Sequence, residues 1–412
     1  MKKSFASLGL VCVAAGSALA LAACLVDLAN LSGGTRDGGA PGGGGSGGGS
    51  TTAASTTGDG STTGVGGATS SATASSAASG GGTGGAMISG CPGAVLDCGG
   101  CACPGGGCPA VPLATGNDAT GPRGIAASSD GVFWSDTNDG RIMGILAQST
   151  APQVIMKASS PTAVAVAAGR LVYAAQDGLW TCLLANCSTT KAHIASPIAL
   201  GSVQSVAFDG QLVYWADRGD DPNIGNGKVW SCDPAAGCVS LHQIADQQLN
   251  AQGVFLTVDS VFWVAQGNGN ANGSIHKAPR TGAGLTDLAA GLVLPQGLVA
   301  DATYVYWTQA TVAGALLRCD HTLGYCNAPV NVAPAAGTLG LPGDLVLSSG
   351  RIYWNENTKG IISSCPLPAC GAAEMPLVHA SGRQGINRLA VGSSCLFWTD
   401  SVSGGTVDKV GR

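Results

Sequence analysis

The run CLFWTD stands at 395–400, and the same shape occurs as GVFWSD at 131–136 and LVYWAD at 212–217. Reduced to an aliphatic residue, an aromatic and usually Trp, it recurs seven times. The copies are Val132-Phe133-Trp134, Val172-Tyr173-Ala174, Val213-Tyr214-Trp215, Val261-Phe262-Trp263, Val305-Tyr306-Trp307, Ile352-Tyr353-Trp354 and Leu396-Phe397-Trp398, and their third residues lie 40 to 48 residues apart. β-branched and aromatic residues at that density favour strands, and a fixed period of this length signals a repeat architecture. Most copies follow a short apolar strand such as GIAAS or GLVAD, and each precedes a Gly-containing turn, a third short strand and, in most units, a fourth. No sustained 3.6-residue period follows residue 31, so helices should be nearly absent.

Four short strands per unit is the pattern of a β-propeller blade. The last unit stops at GGTVDKVGR without a fourth strand, while AVPLATGNDATGPRGIA (110–126) has the rhythm of GLTDLAAGLVLPQGLVA (284–300). Residues 110–116 are therefore expected to supply the outer strand of the last blade and close the ring, leaving no unpaired edge there. The expectation is an all-β propeller over 110–412 with seven blades. Six blades, with a decayed second unit where Ala174 replaces Trp, is the alternative.

VFWSD, VYWAD and LFWTD resemble the YWTD repeats of low-density-lipoprotein-receptor-type propellers, and the resemblance covers 110–412. It implies architecture and no activity. Two departures stand out: the terminal Asp is kept in three of seven copies, and those receptor propellers have six blades. Trp and its neighbours are expected as core between blades. Asp136, Asp217 and Asp400 are expected to bond local backbone at strand ends.

Ahead of the repeats, Lys2 and Lys3 precede an apolar run to about Val26, the layout of a secretory signal. Within it Leu21-Ala22-Ala23-Cys24 resembles the lipobox of bacterial lipoproteins, which implies cleavage after residue 23 and acylation of Cys24, hence a membrane anchor. The absence of Asp after Cys24 resembles the outer-membrane sorting pattern. A signal peptide cut near Ala20 or Ala22 and an uncleaved membrane helix compete with this reading. Residues 24–87 are dominated by Gly, Ser, Thr and Ala and read as a disordered tether. Residues 88–109 are Cys-rich.

Sixteen cysteines in an exported chain point to disulfides. Four close pairs, Cys182 with Cys187, Cys232 with Cys238, Cys319 with Cys326 and Cys365 with Cys370, fall between the third and fourth strands of blades 2, 3, 5 and 6. The odd number of cysteines in 88–109 suggests that Cys395 receives one bridge from that segment.

Composition restricts function. Charged residues make up only 10%, against roughly 25% in ordinary soluble domains, and the net charge of −5 offers no basic footprint for nucleic acid. Glu occurs twice and His five times. No G-x-S-x-G, H-E-x-x-H or phosphate-cradling Gly loop is present. His193, His242 and His379 fall on expected outer strands, and His276 and His321 on or just after third strands.

Two candidate sites remain. At the start of the innermost strands one position reads Arg123, Thr162, Gln204, Gln252, Gln296, Pro342 and Gln384. Four amides and a guanidinium would ring the channel mouth and suit a neutral polar ligand such as a glycan or extended peptide. In the long turn of unit 3, Asp217, Asp220, Asp221, Asn223 and Asn226 place five oxygens within ten residues. A Ca²⁺ ion could use them, although Asp, Asn and Gly are also what turns require. The sequence reading is thus a cell-envelope lipoprotein whose propeller is a noncatalytic binding or scaffold module for a glycan, peptide or protein. A propeller enzyme with an Asp-based or metal-assisted site, or a purely structural envelope protein, is the alternative.

Overall fold

The structure, a computed structural model, describes residues 95–98, 110–194, 203–221, 223–333, 337–367, 370, 375–402 and 404–412. The signal segment, Cys24, the tether and Cys91, Cys101, Cys103 and Cys108 lie outside them.

Twenty-eight strands form seven four-stranded antiparallel sheets, the blades of a seven-bladed β-propeller. The first strands, Pro122–Ser128, Ala163–Ala167, Val203–Phe208, Ala251–Leu256, Pro295–Ala300, Pro342–Ser348 and Ile386–Val391, contact one another in a closed ring around the axis. The six-blade alternative is set aside because unit 2 is a complete blade, with Tyr173 fully buried and Ala174 in the Trp position. As expected, Val111–Thr115 pairs with Thr406–Gly411 and gives blade 7 its outer strand. Among the described residues helix is limited to Cys187–Thr190 and two single 3₁₀ turns. None is long and apolar enough to cross a membrane.

The repeated motif is buried because its alternate residues face opposite neighbours. In blade 1, Val132 and Trp134 pack backward with Ala390 and Phe397 of blade 7, while Phe133 packs forward with Val164 and Tyr173 of blade 2. Trp134, Trp215, Trp263, Trp307, Trp354 and Trp398 are all fully buried, so each fills a seam between blades. The strand-end acids bond as expected. Asp136 accepts from the backbone N–H of Gly121 at 2.8 Å, Asp217 from that of Gly219 at 2.9 Å and Asp400 from that of Val402 at 3.1 Å. Glu356 plays the same part in blade 6, accepting from the N–H of Gly340 at 2.9 Å.

The four close cysteine pairs are disulfides with Cα atoms 4.9 to 5.9 Å apart. A fifth joins Cys98 to Cys395 across 297 residues, so the Cys-rich segment is pinned to blade 7. Val95 is buried in the same cluster as Trp134 and Phe397, and Lys409 donates to the carbonyls of Val95 and Asp97. Five disulfides mark an extracellular or periplasmic protein.

Candidate functional site at the channel mouth

First strands begin on the face that also carries the turns between second and third strands. In six of seven blades the first strand opens with a β-bulge, for example between Pro122 and Ile125, between Ala251 and Val254, and between Ile386 and Leu389. A bulge re-aims side chains at a sheet end. The first residues of these bulges are Arg123, Gln204, Gln252, Gln296, Gly343 and Asn387. In blade 2, Thr162 immediately precedes the unbulged strand.

The sequence reading therefore identifies the guanidinium and three of the four amides and misplaces two positions. Gln384 lies two residues ahead of its strand and Asn387 holds the ring position, because Ile386 pairs with Asp400. Gly343 replaces Pro342 for the same reason, since Pro342 pairs with Glu356. Asn387 is engaged, donating to the carbonyl of Pro122 at 2.9 Å. Gln252 donates to Gln266 Oε1 at 2.7 Å and to Asn250 Oδ1 at 3.3 Å. Gln204 has a partner too. The half-buried guanidinium of Arg123 and amide of Gln296 have no hydrogen-bond partner among the described residues. They are the groups at the mouth that can turn to a ligand.

Sequence reasoning missed two features here. Asp344, next to Gly343, places a carboxylate at the mouth, where it pairs with Arg388 at 3.2 Å and accepts from the N–H of Leu389 at 2.8 Å. Beneath the bulges lies a set of fully buried side chains that follow the motif's Trp. Ser135, Thr308, Asn355 and Thr399 accept the bulge N–H of Gly124, Gly297, Asp344 and Arg388. Three then donate to the next blade: Thr308 to Gly343 O at 2.6 Å, Asn355 to Ile386 O at 3.2 Å and Thr399 to Arg123 O at 2.6 Å. A polar residue after Trp in four motif copies is the signal that could have found them.

In the loop proposed for Ca²⁺, Asp217 and Asp221 accept local backbone N–H groups from Gly219 and Asn223. Asn223 also turns its amide onto Asp221, and the buried Oδ1 of Asn226 has no partner. No three His, Cys, Asp or Glu side chains converge as metal ligands among the described residues. A cavity of about 320 Å³ lies elsewhere, at the outer hairpin of blade 5 beside Tyr304, Arg318 and Tyr325.

No family model and no curated protein matches the chain. Among solved structures it is similar to a streptogramin B lyase, at 11% identity and TM-score 0.55 over 73% of this chain and 96% of that one. It is likewise similar to virginiamycin B lyase from Staphylococcus aureus, at 10% identity and TM-score 0.55 over 73% of this chain and 98% of that one. A gluconolactonase from Xanthomonas campestris aligns at 17% identity with a TM-score of 0.43, over 74% and 98%. At these identities the likeness shows the fold and assigns no reaction. It nevertheless corrects the expectation of a noncatalytic module: lyases stand among the proteins built on this fold, so the lack of a familiar motif gives no ground for setting catalysis aside.

Proposed function

We propose that the chain is an envelope lipoprotein, anchored through Cys24, whose YWTD-like propeller holds a glycan at its channel mouth. The observation that carries this is the unpartnered pair Arg123 and Gln296 at the mouth, beside Gln252, Gln204 and Asn387. Amides donate and accept, as sugar hydroxyls do, and a guanidinium adds donors without demanding an anion. The anchoring is supported by the lipobox-like Leu21-Ala22-Ala23-Cys24 and by where the chain meets the propeller. Val95–Cys98 dock beside Ser394 and Cys395, at the hairpin between first and second strands of blade 7. That is the face opposite the mouth.

A glycan and peptidoglycan-fragment binding screen of the exported protein tests the ligand. Arg123→Ala combined with Gln296→Ala should weaken a hit at least tenfold, and unchanged affinity would overturn the assignment of the mouth. Cys24→Ala should move the protein from the membrane to the soluble fraction; continued membrane retention would remove the anchor from the proposal.

A further inference from the structure

Ser274 and His276 alternate on the third strand of blade 4, Gly273–Pro279, so their side chains share one face. On the adjoining strand, Thr286–Leu292, Asp287 is the cross-strand partner of His276. Ser274 Oγ lies 2.7 Å from His276 Nε2, and His276 Nδ1 lies 2.7 Å from Asp287 Oδ1. An ionised carboxylate only accepts hydrogen bonds, so Nδ1 carries the proton and Nε2 accepts the Ser274 hydroxyl. The imidazole stacks on Trp263 with centroids 5.3 Å apart, and the indole N–H of Trp263 donates to Gln248 Oε1 at 2.8 Å. The ring is therefore held in one orientation. Burial lowers the His276 pKa in spite of Asp287, which keeps the imidazole neutral near pH 7.

A second Ser–His pair in the molecule shows what is special here. Ser364 Oγ also lies 2.7 Å from His379 Nε2, but Ser364 is 0% exposed, takes a hydrogen bond from Arg351, and among the described residues no carboxylate bonds His379. That pair is core. Ser274 is half-buried at the start of its strand, and it is in register with Ala265 and, through it, Ala251. Two strand spacings, about 10 Å, therefore separate it from the inner strand. Gln252 of the mouth is the next residue, so Ser274 opens on the ligand face.

We propose that Ser274, His276 and Asp287 form a hydrolytic centre that removes O-acyl groups as carboxylic acids. Ser274 Oγ bonds to the acyl carbon while its proton passes to His276 Nε2. The acyl C–O bond to the alcohol breaks, and His276 gives the proton to the departing oxygen. Water then adds to the acyl carbon with its proton going to His276; the bond to Ser274 Oγ breaks and that oxygen recovers the proton. Asp287 stays ionised and steadies the imidazolium. Its side chain is 62% exposed, so solvent screens that support, which favours esters over the poorer leaving groups of amides. That the alcohol is a sugar hydroxyl rests on the glycan reading above; the ester chemistry does not.

The test treats the full-length protein with p-nitrophenyl acetate and, separately, with a fluorophosphonate probe. The expected result is a covalent adduct on Ser274 found by peptide mass spectrometry, and ester hydrolysis that falls at least a hundredfold in Ser274→Ala and tenfold or more in Asp287→Asn. Ser364→Ala should keep the wild-type rate. Absence of the adduct, or an unchanged rate in Ser274→Ala with a native circular dichroism spectrum, overturns the centre. Ser274→Ala removes only a half-buried hydroxyl, so folding is not at stake in that variant. Adduct and hydrolysis without any glycan hit would uphold the centre and remove the sugar from it, whereas a glycan hit without adduct would do the reverse.

Discussion

Single side chains decide whether this ring of sheets holds together near its axis. Thr308 is fully buried, accepts the N–H of Gly297 at 2.8 Å and donates to Gly343 O across the blade seam at 2.6 Å. Thr308→Val keeps the shape and leaves both backbone groups without partners, which costs roughly 1–3 kcal/mol; urea unfolding should show that loss, while the same position in blade 4 is already Val264 and functions as apolar core. An undiminished urea midpoint would mean that water or relaxation replaces the bonds. A second residue-scale effect is the response to acid. His379 is buried against Tyr353, Ser364 and Arg351, and its pKa is pushed down from 6.5 to about 4, first by burial and then by the Arg351 charge. The unfolded chain takes up a proton near pH 6.5 that the fold refuses until about pH 4. Stability is therefore full above pH 6.5 and falls as pH drops, by about 3 kcal/mol at pH 4 from this group. His276 is shifted in the same direction and adds to the slope. His379→Gln should flatten the loss of urea midpoint between pH 7 and pH 5; a slope equal to wild type would show that other groups carry it.

At the scale of strands and hairpins, most of the architecture was legible. The VFW-type core identifies each second strand because alternate residues must fill two seams at once, and it did so even in blade 2, where Tyr173 alone is aromatic. The mouth residues were legible with one more rule. The ring position stands thirteen residues before the strand-end residue, as Arg123 does before Asp136, Gly343 before Glu356 and Asn387 before Asp400. The turn between first and second strands has constant length, whereas the link from the preceding blade does not, so position is fixed by counting back from the strand end, which gives Asn387 and not Gln384. The pairing of His276 with Asp287 was not legible. Third and fourth strands pair across bulges, here between Ile275 and His276, so no fixed offset joins the two residues. The hairpin disulfides belong to this scale too. Each closes a loop of five to seven residues, for which the chain-entropy model gives about 2 kcal/mol. Replacing Cys319 and Cys326 together by Ala should lower stability by about that amount while leaving the other six blades intact. Calorimetry showing two separated transitions instead of one shifted transition would mean that the bridge holds blade 5 in the cooperative unit.

For the whole molecule the question is what keeps a ring of seven sheets from opening at the point where the propeller's first and last strands meet. Two devices act there. Val111–Thr115 completes the blade built from the last three strands, and Cys98–Cys395 ties the segment before it to the same blade. Lys409, whose pKa is lowered by burial, donates to the carbonyls of Val95 and Asp97 and adds a noncovalent hold. The disulfide closes a loop spanning 297 residues, for which the chain-entropy model gives about 6 kcal/mol, more than any hairpin bridge. The outer strand does something the bridge cannot. Without it, the N–H and C=O groups of Thr406–Gly411 form an open edge that another chain could extend. The two losses should therefore look different. Cys98→Ser with Cys395→Ser should lower the unfolding midpoint of a protein that stays monodisperse. Deleting Val111–Thr115 should yield oligomers or aggregates by size-exclusion chromatography, even with the bridge kept. A monomeric deletion variant would mean that six blades and three strands suffice for closure.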